Sequence, residues 1–581
     1  MPGSRESIQQ AVEAYSRHDG VEAERLCRLA LDAEADCFDA LILLGVIAAQ
    51  TDRMREAVEL FGRAVAANPN DALAHFHRGN ALLELKRPDE ALASYERAIK
   101  FAPNFAKAYN NRGLALKELN RLNEALANYD HAIRLKPGYE DACNNRGITL
   151  KELGRLDEAL ASYEQSIKLK PDHPEAHYNR GNVLQDLKRP DEALASYEQA
   201  IKLKPGYAAA HNNRGLLLKE QNRLDEALAS YERAIQLEPG FAEACNNRGV
   251  ALSELKRLAE ALASHEQAIE LKPDYAEGHW NLALCSLSMG DFARGWEEYE
   301  WRWANKALEL PVRNFAQPRW RGEESLSGKT IFLYGEQGLG DTLQFCRYAK
   351  LVSGLGARVI LEAPEPLLSL LKNLDGVDAL VEEGGVPPGF DYHCPLLSLP
   401  LAFKTGLETI PSANGYIASS PEKVAEWREK LGDRTKPRIG LAWSGSAGYK
   451  DDSKRSIALG ELVKRLPRQY QYVSLQKEVK SGDQELLNSH PNILHFGAAF
   501  ADTAALCDLM DVVISVDTAI AHLAGAMGKP VWVLLSYIPD WRWLLERSDS
   551  PWYSSARLFR QDTRGDWTGV IDKVSSTLER I

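Results

Sequence analysis

Hydrophobic and polar positions fall into two regimes along this chain. Up to about residue 290 one pattern returns every 34 residues; beyond it, short apolar runs alternate with segments of helical period. In the first regime Gly45, Gly79, Gly113, Gly147, Gly181, Gly215 and Gly249 mark the register. Twelve residues after each stands an alanine (Ala57, Ala91, Ala125, Ala159, Ala193, Ala227, Ala261). Four later comes an aromatic (Phe61, Tyr95, Tyr129, Tyr163, Tyr197, Tyr231), with His265 the exception. Prolines from Pro69 to Pro273 close the units. Small residues where two helices touch, an aromatic filling the gap and a helix-ending proline predict a packed antiparallel helix pair. Ala11 and Ala283 hold the glycine register at the ends, which gives eight units and a degenerate ninth. The array is expected over residues 4–304, with a linker over 305–327.

The second regime predicts two α/β lobes. In the first, residues 328–413, the strand Thr330–Leu333 enters the glycine-rich turn Gly335-Glu336-Gln337-Gly338-Leu339-Gly340, and a helix is expected over Thr342–Leu355. Strands at 358–361, 377–381 and 392–396 and a helix at 364–374 complete it. A polar, partly helical bridge covers 414–436. The second lobe, 437–581, has strands at 437–442, 472–475, 511–516 and 531–535 and a helix at 459–466. Alternating strands and helices mean mostly parallel sheets. The fold class is therefore an all-α superhelix followed by an α/β region of two lobes.

Several residues then invite chemistry. Asp341 sits at the mouth of the glycine turn, either as an N-cap or as a general base at a ligand-facing edge. Gly338 and Gly340 let a ligand approach the backbone, and so do Ser444 and Gly445 after a later strand; Gln476 ends another. No phosphate or dinucleotide fingerprint is present. Thr518 opens a helix rich in small residues, a ready anion site, and Lys454 and Arg455 would add positive charge there. Asp517 is alternatively a helix cap, His522 a core histidine, and Lys450, Asp451 and Asp452 either a solvated loop or part of a site. Four tryptophans (Trp296, Trp301, Trp303, Trp320) predict a buried joint or, alternatively, a stacking platform.

In the repeats, Asn111, Asn145, Asn179, Asn213, Asn247 and Asn281 stand two residues before the register position. A row of carboxamides either grips an extended polypeptide through its peptide groups or bonds neighbouring helices. His77 interrupts the row. The adjacent arginines, Arg78 to Arg248, are expected to pair between helices with acids such as Glu124, Glu158 and Glu226.

Length and charge narrow the classes. At 581 residues the chain needs two or three domains, and a net charge of −12 with a pI near 5.7 argues against a general nucleic-acid or anionic-membrane binder. No run approaches a membrane span, and the polar start Met1 to Gln10 is not a signal peptide. Eight scattered cysteines without Cys-x-x-Cys predict reduced thiols, no zinc site and a cytoplasmic protein.

The 34-residue pattern resembles the tetratricopeptide repeat, and the asparagine row resembles that of the nucleocytoplasmic O-linked N-acetylglucosamine transferases, which use it to grip acceptor polypeptides. Gly338-Leu339-Gly340-Asp341, Lys454-Arg455 and Asp517-Thr518-Ala519-x-x-His522 look like the heptosyltransferase-type glycosyltransferases of GT-B architecture. That resemblance implies Asp341 as the base that deprotonates the acceptor. It implies Lys454, with Arg455, on the donor phosphate, and Asp517, Thr518 and His522 on the nucleotide diphosphate. Ala519 replaces the family's usual glycine, and Ser456-Ile457 stand where it has tryptophan. Repeats followed by a transferase is also the layout of bacterial flagellin glycosyltransferases, so flagellin is a candidate acceptor. The expected activity is inverting transfer of a sugar from a nucleotide-activated donor to a protein Ser or Thr hydroxyl. Neither lobe carries an Asp-x-Asp motif, so no metal or other cofactor is expected. The competing readings are a scaffold with a degenerate transferase region and a transferase acting on glycan or lipid.

Overall fold

The computed structural model describes residues 4–411, 415–445 and 452–580. The expected loop residues Lys450 and Asp451, and the expected lobe boundary at 413–414, lie outside the described residues. The chain divides into two compact units, Met1–Pro239 and Gly240–Ile581.

In the first unit, helices from Ser4–Ser16 to Leu224–Leu237 form successive hairpins, each joining a helix of 13 residues to one of 14. The register glycines set how closely the two helices meet. A Cβ added at Gly79, Gly113, Gly147, Gly181 or Gly215 would fall 2.6 Å from the ring of Tyr95, Tyr129, Tyr163, Tyr197 or Tyr231. Each tyrosine fills the space its glycine leaves open and is wholly buried. The first helix of each pair ends in a left-handed residue at His18, Asp52, Lys86, Asn120, Gly154, Lys188 and Asn222. The αL turn returns backbone N–H groups to the last carbonyls, as Arg87 N–H does to Leu82 O at 2.9 Å.

The expected inter-helix ion pairing is present, but with other acids than those expected: Arg146 pairs with Asp130 (2.7 Å), Arg180 with Glu164 (3.4 Å) and Arg214 with Glu198 (3.5 Å). Glu124, Glu158 and Glu226 pair with Arg121, Arg155 and Arg223, three residues earlier on their own helix. The register arginines also bond neutral side chains on the second helix of their own pair: Arg112 bonds Asn128, Arg146 Ser162, Arg180 Ser196 and Arg214 Ser230. Of the acids one position before the register alanine, Glu192 approaches a register arginine, Arg180, at 3.9 Å. Local geometry decides this, because acid and arginine three apart in a first turn are already neighbours.

The second unit opens with the same motif, Ala242–Glu254 paired with Leu258–Leu271, where His265 replaces tyrosine against Gly249. Ala276–Met289 and the shorter Phe292–Tyr299 follow, and the chain winds into a 3-10 turn over Glu300–Trp303. Two parallel sheets come next. Strands β1 (Thr330–Tyr334), β2 (Arg358–Ala363), β3 (Ala379–Glu382) and β4 (Tyr392–Pro395) lie in the order β3-β2-β1-β4. Strands β5 (Arg438–Ala442), β6 (Gln471–Ser474), β7 (Ile493–His495), β8 (Val512–Val516), β9 (Val531–Leu535) and β10 (Ala556–Arg560) lie in the order β10-β9-β8-β5-β6-β7. Renumbered from β5, the second sheet has the doubly-wound order 3-2-1-4-5-6, whose ligand crevice opens between its first and fourth strands. Here those are β5 and β8, paired through Leu441 and Ile514. In the first sheet the corresponding point lies between β1 and β4.

One apolar core runs through this unit. It joins Ala283, Leu287 and Trp296 at the end of the repeats, the strands and helices of the first sheet, and residues Ala521 to Ala526, Trp541 and Trp552 of the second. Trp296 meets Trp541 edge-on at 5.2 Å and donates from Nε1 to Thr405 O at 2.9 Å. Trp320 is buried as well, while Trp301 and Trp303 are half-buried. The strands β7 and β10 have no counterpart in the sequence reading, and the helix expected over 342–355 starts at Leu339 and breaks at Cys346–Tyr348.

Candidate active site

The early start of the Leu339–Phe345 helix changes the role of Asp341. Gly338 is the N-cap and makes no side-chain cap bond, so Asp341 lies inside the first turn and its side chain is not a cap. Its Oδ1 instead accepts from Arg542 Nη2 at 2.5 Å. Arg542 also donates from Nη1 to Asp540 Oδ1 (2.8 Å) and from Nε to Gln344 Oε1 (2.9 Å), with its guanidinium 4.3 Å from the Trp541 ring. Burial pushes the Asp341 carboxyl above the usual carboxylate range, against the pull of Arg542. A carboxylate with a raised pKa is better matched to taking a proton near neutral pH than an ordinary one.

The turn is anchored from its other end by the joint. Glu336, almost fully buried, receives Arg302 Nε at 2.7 Å and Nη2 at 3.0 Å. Arg302 is itself fully buried, donates to Glu300 at 2.8 Å and to Ser398 at 2.6 Å, and lies over Tyr299 and Trp303. Ser398 follows β4, so an arginine from the joint fills the point where the first sheet would open a crevice.

Gly340 faces the second sheet. A Cβ there would fall 2.9 Å from His522 Cδ2, and the Ala519 Cα lies beside it. Only glycine lets the Leu339–Phe345 helix and the Ala519–Ala526 helix come together this closely. The latter begins at Thr518, which is the N-cap without a side-chain cap bond, and Thr518 Oγ1 lies 3.1 Å from Ser515 Oγ. Asp517 therefore does not cap it. Its carboxyl is pushed up to about 6, first by burial and then by Asp540, while Arg455 and Arg542 pull it down. His522 is buried, stacks on Trp543, and has Nδ1 3.0 Å from Tyr553 Oη and Nε2 3.9 Å from Asp517. Burial and the charges of Arg542, Arg347 and Arg455 hold its pKa well below the ordinary value, so the ring is neutral. The Asp540-Trp541-Arg542-Trp543 segment thus links the two halves, Arg542 to Asp341 and Trp543 to His522.

The other expected positions lie around the end of β5. Ser444 and Gln476 bond each other, Ser444 N–H to Oε1 at 3.1 Å and Gln476 Nε2 to Oγ at 3.0 Å. Gly445 N–H donates to Ser456 Oγ, and a Cβ at Gly445 would collide with Asp452 and Arg455. Asp452 is a buried hub rather than a solvated loop residue: Arg455 (3.3 Å), Lys480 (3.1 Å) and Ser456 (2.7 Å) converge on it. The Arg455 charge, held by Asp452, is close enough to lower the Asp517 carboxyl's pKa, and Lys454 is engaged as well. Among the described residues no cluster of His, Cys, Asp and Glu suits a metal ion. No described helix is long and apolar enough to cross a membrane.

The asparagine row bonds from repeat to repeat. Asn111 Nδ2 donates to Asn80 Oδ1 (2.8 Å), Asn145 to Asn110 (3.1 Å), Asn179 to Asn144 (3.0 Å), Asn213 to Asn182 (2.9 Å) and, in the second unit, Asn281 to Asn246 (3.0 Å). Asn247 is engaged too. His77 packs between Phe61 and Phe76. Three of the amides that receive these bonds, Asn110, Asn144 and Asn246, are buried, so the row stitches the stack together.

Sequence reasoning assigned no role to Arg542, Arg302 or Glu336. A signal was there: both arginines stand between two tryptophans, Trp301-Arg302-Trp303 and Trp541-Arg542-Trp543, and each triplet forms a 3-10 turn. A cation flanked by large apolar side chains is one the fold means to bury against an anion.

Tetratricopeptide repeat models match residues 8–72, 52–106, 76–140 and 179–242, and again 242–275, with a TPR repeat model at 149–188. Protein FlbA of Caulobacter vibrioides is 29% identical over 322 residues, 50% of this chain and 53% of that protein. The chain thus spans about half the length of this curated relative. Among solved structures, YrrB, described as a TPR protein with an unusual peptide-binding site, is 28% identical and covers 32% of this chain and 95% of its own, with a TM-score of 0.28. A tetratricopeptide repeat protein from Parabacteroides merdae is 19% identical over 43% of this chain and 98% of its own, with a TM-score of 0.37.

Proposed function

We propose that the chain is a glycosyltransferase that moves a sugar from a nucleotide-activated donor to a Ser or Thr hydroxyl of a polypeptide. One observation carries the reading: the Gly338–Asp341 turn at the end of β1 abuts the Thr518 helix start at the end of β8, with Gly340 in contact with His522. A half-buried carboxylate beside an uncapped helix start, with Arg455 nearby, suits deprotonation of an acceptor next to a departing diphosphate. The acceptor bond to the anomeric carbon forms as the bond to the phosphate oxygen breaks. The electron pair leaves on the diphosphate and the hydroxyl proton passes to Asp341. Such direct displacement inverts the anomeric centre. In this proposal the asparagine row holds the acceptor through valences that its inter-repeat bonds leave over, and no metal is required.

The test is a thermal-shift screen of UDP, GDP, ADP, dTDP, CMP and CDP on the wild type and on Lys454→Ala. At about 100 times its dissociation constant a bound nucleotide should stabilise its domain by roughly 2.7 kcal/mol. One nucleotide shifting the wild type and not the variant supports the cleft. Silence from all six favours the scaffold reading.

A further inference from the structure

We propose that Arg542 is the positioning residue of Asp341, fixing its carboxylate and setting the pH at which it accepts the acceptor's proton. This rests on the transferase reading above. The guanidinium is buried, and each of its three nitrogens has a carboxylate or amide partner: Asp341, Asp540 and Gln344. The Trp541 and Phe345 rings flank it at 4.3 and 5.8 Å, so it has no room to swing as a solvated side chain would. Trp541 is wedged in turn against Trp296 and Tyr299, the last helix of the repeats. The arginine is thus a fixed strut between the loop after β9 and the turn after β1.

The charged and titratable groups that face this pair fix the sign of each test. Asp341 feels Arg542 and Asp540 from the loop after β9, Tyr299 from the joint, and the Gly338 backbone from its own turn. Asp517 and His522 from the second sheet face the same guanidinium. A cation bonded to a carboxylate favours its charged form, and a neighbouring anion disfavours it. Removing Arg542 should therefore raise the pH at which Asp341 becomes a base, and removing Asp540 should lower it.

The experiment follows nucleotide release by the full chain from UDP-, GDP-, ADP-, dTDP-, CDP- and CMP-linked sugars, with water or a peptide as acceptor. The quantity read is the pH dependence of kcat/KM. Arg542→Gln should move the acid limb upwards by about 1–3 pH units. Arg542→Lys should bring it most of the way back, and Asp540→Asn, at a half-exposed residue, should move it downwards. A purely structural role would lower kcat or stability while leaving the limb in place, and that result overturns the proposal. If Arg542→Gln does not fold, the Lys and Asp540→Asn profiles decide alone. Wild-type turnover with unmoved limbs overturns this proposal only. A wild type that releases nucleotide from none of the six donors overturns the transferase reading and this proposal with it.

Discussion

Asp517 shows how one residue can cost stability in order to stand where it does. Its folded carboxyl, pushed up to about 6 from 3.8, holds a proton that the unfolded chain gives up sooner. The folded state binds more protons across that window, so stability falls as pH rises from about 4 to 6, by roughly 1–3 kcal/mol. Asp517→Asn removes the titration. The stability gap between variant and wild type should widen in the variant's favour over this range in urea unfolding, and a gap that does not change with pH contradicts the assignment. At Gly340 the issue is space. With His522 Cδ2 2.9 Å from a new Cβ, Gly340→Ala has to push two helices apart and should cost about 1–3 kcal/mol. Differential scanning fluorimetry of G340A against Gly338→Ala, where a Cβ meets nothing within 4 Å, separates contact from general glycine loss.

At the scale of elements, the helix hairpins owe their register to glycine–aromatic contacts and their stacking in part to the asparagine row. Asn179→Ala would leave Asn144 Oδ1, in a largely buried amide, without its donor. The expected loss is about 1–3 kcal/mol. It should appear as faster hydrogen exchange in the helices Glu140–Glu152 and Pro174–Asp186; unchanged protection there would show that the bond contributes nothing. Any use of ladder variants to test acceptor binding must therefore be referred to the fraction of folded protein.

At the scale of the molecule, the second unit does not separate at the expected linker. Arg302, before it, neutralises Glu336, after it, and Trp296 packs in the same core as both sheets. A fragment starting at residue 328 leaves Glu336 buried without its cation, a loss on the order of 3–5 kcal/mol. A fragment starting at residue 240 keeps Arg302. The shorter fragment should melt at a lower temperature and be digested faster by protease. Equal stability would mean that the joint is a mere tether.

The sequence by itself determined what repeats locally. A period of 34 names the helix pair, because each unit meets the same neighbours and so needs the same glycine, alanine and aromatic. Apolar runs ending in glycine-rich turns marked most strands, and Gly338–Asp341 and Asp517–His522 stood out because turns and helix starts advertise themselves in small and capping residues. The tertiary structure decided what depends on distant partners. Nothing local tells Asp341 that its counter-ion is 201 residues away in Arg542, or Glu336 that Arg302 will cover it. The strand β7 escaped because its short span, Ile493–His495, carries too little periodicity, and β10 because Arg557 and Arg560 break up what would otherwise read as an apolar run. The asparagine row was legible as a row, but a carboxamide serves a neighbouring helix as well as a peptide, and only the packed stack shows which bond it makes.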